Sequence, residues 1–159
     1  MKVRDCMIQK VVSVKRSTSL SALINAFQRY NFHTLPVVGA DNSLVGIVNF
    51  EDILKVFQPY STELSAMLKT VPFLELETKE EDFLDADLSS EMGVLVLVDD
   101  IMNTNFAAIE PQVDINQARA QMKLHNTPRL PVIEDGKLIG MISLFDIILA
   151  VFKERGVIR

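Results

Sequence analysis

Apolar and polar residues alternate along the chain in an order that predicts strands and helices in turn. Val11–Val14 predicts a short strand. Ser19 can then cap a helix in which apolar residues recur at helical spacing from Leu20 to Phe27 and which ends near Tyr30. A buried strand at Leu35–Val38, a polar turn and a return strand at Leu44–Val48 predict a hairpin. A further helix, from Asn49 to about Phe57, completes a β-α-β-β-α unit.

The same order returns about 95 residues later. It predicts a strand at Phe106–Ile109, a helix capped by Asp114, a hairpin formed by Leu130–Ile133 and Leu138–Ile142, and a last helix from Leu144 to about Glu154. Each unit is too small to bury much surface by itself. Because an internal repeat strongly constrains a fold, we predict an α/β protein in which the two units pack sheet against sheet.

One motif recurs where the hairpin of each copy runs into its last helix. In each copy a glycine and two apolar residues precede a polar residue, and an aspartate follows three places later. The polar residue and the aspartate are Asn49 and Asp52 in the first copy, and Ser143 and Asp146 in the second. This spacing predicts a capping box at the start of the helix. A helix start also presents free backbone N–H groups, so the motif indicates a candidate anion site.

The predicted division is residues 1–58 for the first copy, 59–97 for an insert and 98–159 for the second copy. Within the insert, Ser61–Lys69 resembles a short helix, and Glu75–Glu91 carries eight acidic residues and one lysine. Apolar residues inside this acidic segment leave two alternatives, a docked helix or a mobile loop. The apolar run Gly93–Val98 predicts a strand or a buried extended segment.

Composition excludes several classes of function. The net charge of −5 argues against nonspecific nucleic-acid binding, and no apolar run is long enough for a membrane span. One cysteine, Cys6, indicates a reducing, cytoplasmic setting, and we interpret it as a small packed side chain. No phosphate loop, zinc-protease motif or paired nucleophile and base is present, so we do not expect an enzyme.

Taken together, the repeated features resemble a known family. An apolar-x-Asp-x-Met start, a Leu-Pro-Val strand and the Gly-apolar-apolar-polar-x-x-Asp turn, all in tandem, are similar to a pair of CBS (cystathionine β-synthase) domains. The resemblance covers about residues 3–57 and 98–154. It implies a pseudo-two-fold module, often called a Bateman module, that senses AMP, ADP, ATP or S-adenosylmethionine, needs no other cofactor and commonly forms flat homodimers.

The resemblance also implies roles for particular residues. Ser143 would meet a phosphate, Asp146 would bind the ribose hydroxyls, and Thr127 and Arg129 would line the ligand, with Arg129 as a phosphate partner. The first copy departs from this pattern, which favours the second site over the first. Its corresponding residues are Asn49 and Asp52 at the helix start, and His33 and Thr34 before the Leu-Pro strand.

Two functions remain open at this point. The chain is either a stand-alone regulatory sensor that passes ligand occupancy to a partner protein, or an interaction module that dimerises or docks without a ligand. Two histidines without neighbouring cysteines or carboxylate clusters do not indicate a metal site.

Overall fold

A computed structural model describes residues 1–30, 32–57, 70 and 89–159. The predicted helix at residues 61–69 and most of the acidic segment, residues 75–88, lie outside the described residues. The remaining elements form two α/β units that are joined through their leading segments.

The first unit follows the predicted order, although its first strand lies at Val14–Lys15 and overlaps the predicted strand Val11–Val14 only at Val14. A short helix α1 (Val3–Cys6) precedes β1 (Val14–Lys15), α2 (Leu20–Tyr30), β2 (Thr34–Val38) and β3 (Leu44–Asn49). The strands form one sheet in the order β1-β2-β3, with β1 parallel to β2 and β2 antiparallel to β3. A 3₁₀ turn at Ala40–Asn42 joins β2 to β3. The helix predicted after β3 is present as a 3₁₀ helix, Phe50–Phe57.

The second unit repeats this arrangement with a smaller sheet. Its elements are the short helices α3 (Met92–Leu95) and α4 (Val98–Ile101), then α5 (Ile115–Leu124), β4 (Arg129–Glu134), β5 (Lys137–Ser143) and α6 (Leu144–Glu154). Strands β4 and β5 pair antiparallel around a tight turn in which Asp135 and Gly136 both have positive φ. The predicted hairpin and last helix are therefore confirmed.

The predicted strand at Phe106–Ile109 is wrong. Among the described residues, this segment forms a single parallel bridge, between Ile109 and Val132. In the first copy the corresponding pairing continues for a second residue, Lys15 with Val38. Pro111 follows the bridge and has no N–H group with which to continue the ladder, which accounts for the shorter pairing.

The apolar run Gly93–Val98 is also only partly as predicted. Its first half belongs to helix α3, where Val94 and Leu95 are 70% and 74% exposed. Its second half is extended, and Leu97 bridges Ser19 before the chain enters α4. Only Val98 is fully buried, so the apolar run is not a core strand.

The leading segment of each copy packs into the core of the other copy. Val3 of α1 is fully buried among residues of the second unit, including Leu130 and Ile142. Val98 of α4 is fully buried in the core of the first unit, beside Leu35. The two units therefore complete each other's cores. Equivalent hydrogen bonds also hold the two exchanged segments. The Val3 N–H donates to Val113 O at 2.9 Å, and the Val98 N–H donates to Thr18 O at 2.8 Å.

The motif glycines lie where the exchanged segments cross the hairpins. Ile8 and Met141 exchange two backbone hydrogen bonds of 2.8 and 2.9 Å, and a Cβ on Gly140 would lie 3.0 Å from the Ile8 carbonyl oxygen. The first copy repeats this contact, because a Cβ on Gly46 would lie 3.0 Å from the carbonyl oxygen of Asn103. Each glycine thus allows a close approach of two backbones.

Replacing Val98 by alanine tests the exchanged packing. We expect Val98→Ala to lower the free energy of unfolding by about 2 kcal/mol, since it removes two buried methyl groups from the first unit's core. The matched control Val94→Ala, at an exposed position four residues earlier, should change it by less than about 0.5 kcal/mol. Urea denaturation measures both variants, and equal losses would contradict the assignment of α4 to this core.

Candidate functional site

The start of helix α6 is a complete capping box, as predicted. The Ser143 hydroxyl oxygen accepts from the Asp146 backbone N–H at 3.1 Å, and Asp146 Oδ2 accepts from the Ser143 backbone N–H at 2.7 Å. The Ser143 hydroxyl also donates to Asp146 Oδ2 at 2.6 Å. These three bonds fix the Asp146 carboxylate relative to the helix.

The capping box leaves one oxygen of Asp146 available. All three bonds use Oδ2 or the backbone, and Oδ1 has no protein partner among the described residues. The helix start itself offers fewer free donors than the sequence suggested. The Leu144 N–H donates to Pro128 O at 2.9 Å, and the Asp146 N–H is used by Ser143. The carboxylate, rather than the backbone, is thus the open group.

A cleft of about 300 Å³ lies beside this helix start, between the two units. A volume of this size is at the lower end of those found for small-molecule sites. Four of the residues predicted for the site line it, namely Ser143, Asp146, Arg129 and Thr34. The remaining walls come from the crossing segment, which is Ile8–Val12 after α1, from the start of β2, and from β5 and α6. Their residues are Ile8, Lys10, Val11, Val12, Phe32, Leu35, Pro36, Met141, Ile142 and Phe145.

Arg129 stands at the start of β4 with its guanidinium group on the cleft side. Its Cζ lies 6.0 Å from the centre of the Phe32 ring, a contact that holds the guanidinium group by cation–π attraction. Arg129 is half-buried, and no acidic partner is present among the described residues. Its N–H donors are therefore available to an anion in the cleft.

Sequence reasoning missed Lys10 and Phe32, which also line the cleft. Lys10 lies in the crossing segment, which carries no motif and which the fold brings back to the other unit only through the exchange of α1. Phe32 directly precedes His33 and Thr34, the residues that the resemblance named before the Leu-Pro strand, so a signal for it was present.

Thr127 and His33 lie outside the cleft. The Thr127 hydroxyl donates to the Arg129 carbonyl oxygen at 2.9 Å, so it shapes the turn into β4. It lines a second hollow, beside Arg119 and Lys123. His33 is exposed and meets the Phe50 ring edge-on at 5.2 Å.

The corresponding helix start in the first copy is built differently. Asp52 Oδ2 accepts from the Asn49 N–H at 2.7 Å, but the Asn49 side-chain oxygen accepts from the Thr34 hydroxyl at 2.8 Å. Among the bonds of the described residues, only the Asp52 half of the predicted box is present. Asn49 therefore does not provide the side-chain cap that its spacing predicted, and its side-chain oxygen bonds Thr34 on the neighbouring strand instead.

The Asp52 carboxylate is fully engaged by the protein. Asp52 is only 8% exposed, and Lys55 Nζ lies 2.9 Å from its Oδ1. Asn103 Nδ2 donates to its Oδ2 at 2.9 Å, and the Lys55 ammonium also reaches Asn103 Oδ1 at 3.1 Å and Ile101 O at 2.9 Å. Both oxygens that a ribose would need in this copy are thus paired within the protein.

The other candidate chemistries find no support in the described part of the chain. Its His, Cys, Asp and Glu side chains form no group of three that could hold a metal ion. Burial, and next the nearby Asp5 charge, raise the pKa of the Cys6 thiol above its ordinary value. Cys6 packs against the second core, as interpreted from the sequence. None of the described helices has the length and apolarity needed to cross a membrane.

Comparison with known proteins agrees with this architecture. The family model described as CBS domain matches residues 3–59 and 98–153. An uncharacterised protein of Methanocaldococcus jannaschii, MJ1426, is 31% identical over 154 residues, which cover 93% of this chain and 89% of that protein.

Two solved structures share the fold. The structure of CBSX2 in complex with AMP has a TM-score of 0.70 at 23% identity, covering 97% of this chain and 98% of that one. The CBS domain pair of protein MJ0100, in complex with 5′-methylthioadenosine and S-adenosyl-L-methionine, has a TM-score of 0.66 at 17% identity, with the same coverage of 97% and 98%. At these identities the likeness establishes the fold.

The Lys55 contact with Asp52 can be tested by removing its charge. Lys55→Met should lower the free energy of unfolding by about 1–3 kcal/mol, because Asp52 stays buried and loses its counter-ion. The matched control is Arg16→Met, which removes a 3.0 Å pair with Asp99 in which both side chains are about half exposed. That variant should lose less than about 1 kcal/mol. Urea denaturation compares the two, and a larger loss in Arg16→Met would contradict the network.

Proposed function

The chain belongs to the CBS domain family, and from this premise we propose that it is a regulatory module that binds an adenosine-containing ligand in the cleft beside Ser143 and Asp146. One observation carries the proposal. Asp146 lines a cleft of about 300 Å³, and its Oδ1 has no partner among the described residues.

Asp146 suits a ribose. Its Oδ2 is held by the capping box, so the carboxylate keeps one orientation without a ligand. A carboxylate oxygen can accept from sugar hydroxyl groups, and pre-orientation reduces the entropy lost on binding. The apolar side chains of Ile8, Val11 and Val12 offer a wall for a flat heterocyclic base.

The relatives with bound ligands support the ligand class. Among solved structures with this fold, CBSX2 holds AMP and the MJ0100 pair holds 5′-methylthioadenosine and S-adenosyl-L-methionine. All three ligands share an adenosine unit. For this chain we propose binding at the second copy's site, one ligand per chain, because the first copy's Asp52 is paired with Lys55 and Asn103.

We also propose a homodimer, through the last helices of the two copies. Helix α6 and the 3₁₀ helix Phe50–Phe57 present large apolar side chains to solvent that the monomer does not cover, namely Phe50, Leu54, Phe145, Ile148 and Phe152. Phe145, Ile148 and Phe152 recur at i, i+3 and i+7 and so form one exposed apolar face of α6, which is typical of a protein–protein interface. The same face supports the alternative function, an interaction module that needs no ligand.

The ligand proposal predicts a shift in melting temperature. AMP, ADP, ATP or S-adenosylmethionine at about one hundred times its Kd should raise the midpoint by roughly 5–10 °C, measured by differential scanning fluorimetry. Asp146→Asn should abolish the shift, since the capping box would use the single amide oxygen and leave an N–H₂ donor where the ligand needs an acceptor. The matched control Asp52→Asn should keep the shift on a lower baseline. Flat curves with all four ligands would favour the interaction module.

The dimer proposal predicts a change in mass. The wild-type chain should sediment as a dimer at micromolar concentration, and Phe152→Glu should shift it toward the monomer because a charge would be buried at the interface. Sedimentation equilibrium measures both. A monomeric wild-type chain, or a variant that stays dimeric, would contradict this assignment of the interface.

A further inference from the structure

We propose that this chain's own acidic segment, residues 75–88, docks in the second hollow, beside Arg119 and Lys123. The hollow has a volume of about 370 Å³ and lies between the end of α5, the turn that follows it and the start of α6. Docking there requires no ligand in the cleft beside Asp146, so it goes beyond the proposed function.

The hollow carries two positive charges that no acidic side chain of the described residues neutralises. Arg119 and Lys123 are both exposed, and because they are four residues apart they project from the same face of α5. Neither forms an ion pair in the described part of the chain, and its described lining contains no acidic residue. Like charges at this spacing repel each other, and an anionic partner would offset that repulsion.

The hollow also offers apolar surface beside its charges. Met122 and Leu144 line it, and Leu144 remains 38% exposed. The Leu144 N–H donates to Pro128 O at 2.9 Å, which joins the turn after α5 to the start of α6 and fixes the shape of the hollow. Positive charge beside apolar surface fits a peptide segment with both acidic and apolar side chains better than a free inorganic anion.

The acidic segment has this composition. Residues 75–88 contain seven acidic residues and one lysine, a formal net charge of −6. The same segment contains four large apolar residues, which are Leu76, Phe83, Leu84 and Leu88. Its charge is opposite to that of the hollow, and its apolar residues can cover the apolar lining.

The attachment of the segment allows it to reach the hollow on its own chain. The described chain resumes at Ser89, directly after the segment. Fourteen residues span at most about 45 Å when extended. A compact chain of 159 residues has a radius of gyration of only about 15 Å. The surface of the second unit is therefore within reach of residues 75–88.

The first copy lacks both cations at the corresponding positions. The repeat places Ile24 and Gln28 on α2 where α5 has Arg119 and Lys123. The matching face of the first unit thus has no charge at these two positions with which to attract an acidic segment. This difference assigns the segment to the second unit.

Limited proteolysis of the full chain with thermolysin tests the docking. The enzyme cuts before large apolar residues, and mass spectrometry identifies cleavage before Phe83 and Leu84. At low salt we expect this cleavage to be at least about fivefold slower in the wild-type chain than in Arg119→Glu/Lys123→Glu, because cleavage follows the fraction of undocked segment. About 0.5 M NaCl should bring the wild-type rate close to that of the variant, since salt screens the charges.

Two further variants separate specific docking from net charge. The matched control Lys15→Glu/Lys137→Glu changes the net charge equally at two exposed lysines outside the hollow, and it should keep the wild-type rate. Glu80→Lys/Glu81→Lys should speed cleavage as well. Combining it with Arg119→Glu/Lys123→Glu should restore part of the protection, because opposite charges then face each other again.

Three results would overturn the docking. They are equal cleavage rates in the wild-type chain and Arg119→Glu/Lys123→Glu, an equal gain in the lysine control, and protection that rises with protein concentration, which would assign the occupant to a second chain. Circular dichroism of each variant verifies that the fold is intact. The melting shift with adenosine-containing ligands is measured separately, so the proposed function can stand or fail independently of this result.

Discussion

The structure depends on an exchange of leading segments between two small units. Neither unit has a complete core alone, because each receives a fully buried valine, Val3 or Val98, from the segment that precedes the other unit. Each exchanged segment then crosses the partner hairpin by a pair of backbone hydrogen bonds beside a glycine, Gly140 or Gly46. Since burial and hydrogen bonding both require the two units together, their relative placement is fixed by the core itself rather than by a separate interface.

Duplication has produced two helix starts with opposite chemistry. In the second copy a serine orients Asp146, and one carboxylate oxygen beside a cleft has no partner among the residues that the structure describes. In the first copy the position that corresponds to Leu149 is Lys55, and its ammonium group neutralises Asp52 from within the protein. The buried Asp52 carboxylate needs a counter-charge, whereas the partly exposed Asp146 is held by hydrogen bonds from Ser143 alone among the described residues. One copy thus stabilises the scaffold while the other keeps a charged group available.

The sequence predicted much of this arrangement, and the misses have physical causes. The repeat, the hairpins and the capping box of α6 depend on local patterns, so they could be inferred directly. The bridge at Ile109 is shorter than predicted because of Pro111, and the apolar run at Gly93–Val98 has an exposed half because apolar content alone does not specify a strand. Lys10 reaches the cleft only through the exchange of segments, which is a tertiary event without a local signal.

The position of the cleft suggests how occupancy could be transmitted. Its walls come from the crossing segment at Ile8–Val12, from Phe32 and Pro36 in the first unit and from the end of β5 and the start of α6 in the second. A ligand there would contact both units and the segment that connects their cores. Such a ligand would favour the relative placement of the two units in which the cleft is closed. The free energy of this preference equals the difference between its binding free energies for the closed and open placements. Phe145 lies both in the cleft lining and on the exposed apolar face of α6, so a change at the ligand is adjacent to the surface on which a second chain or a regulated protein would bind.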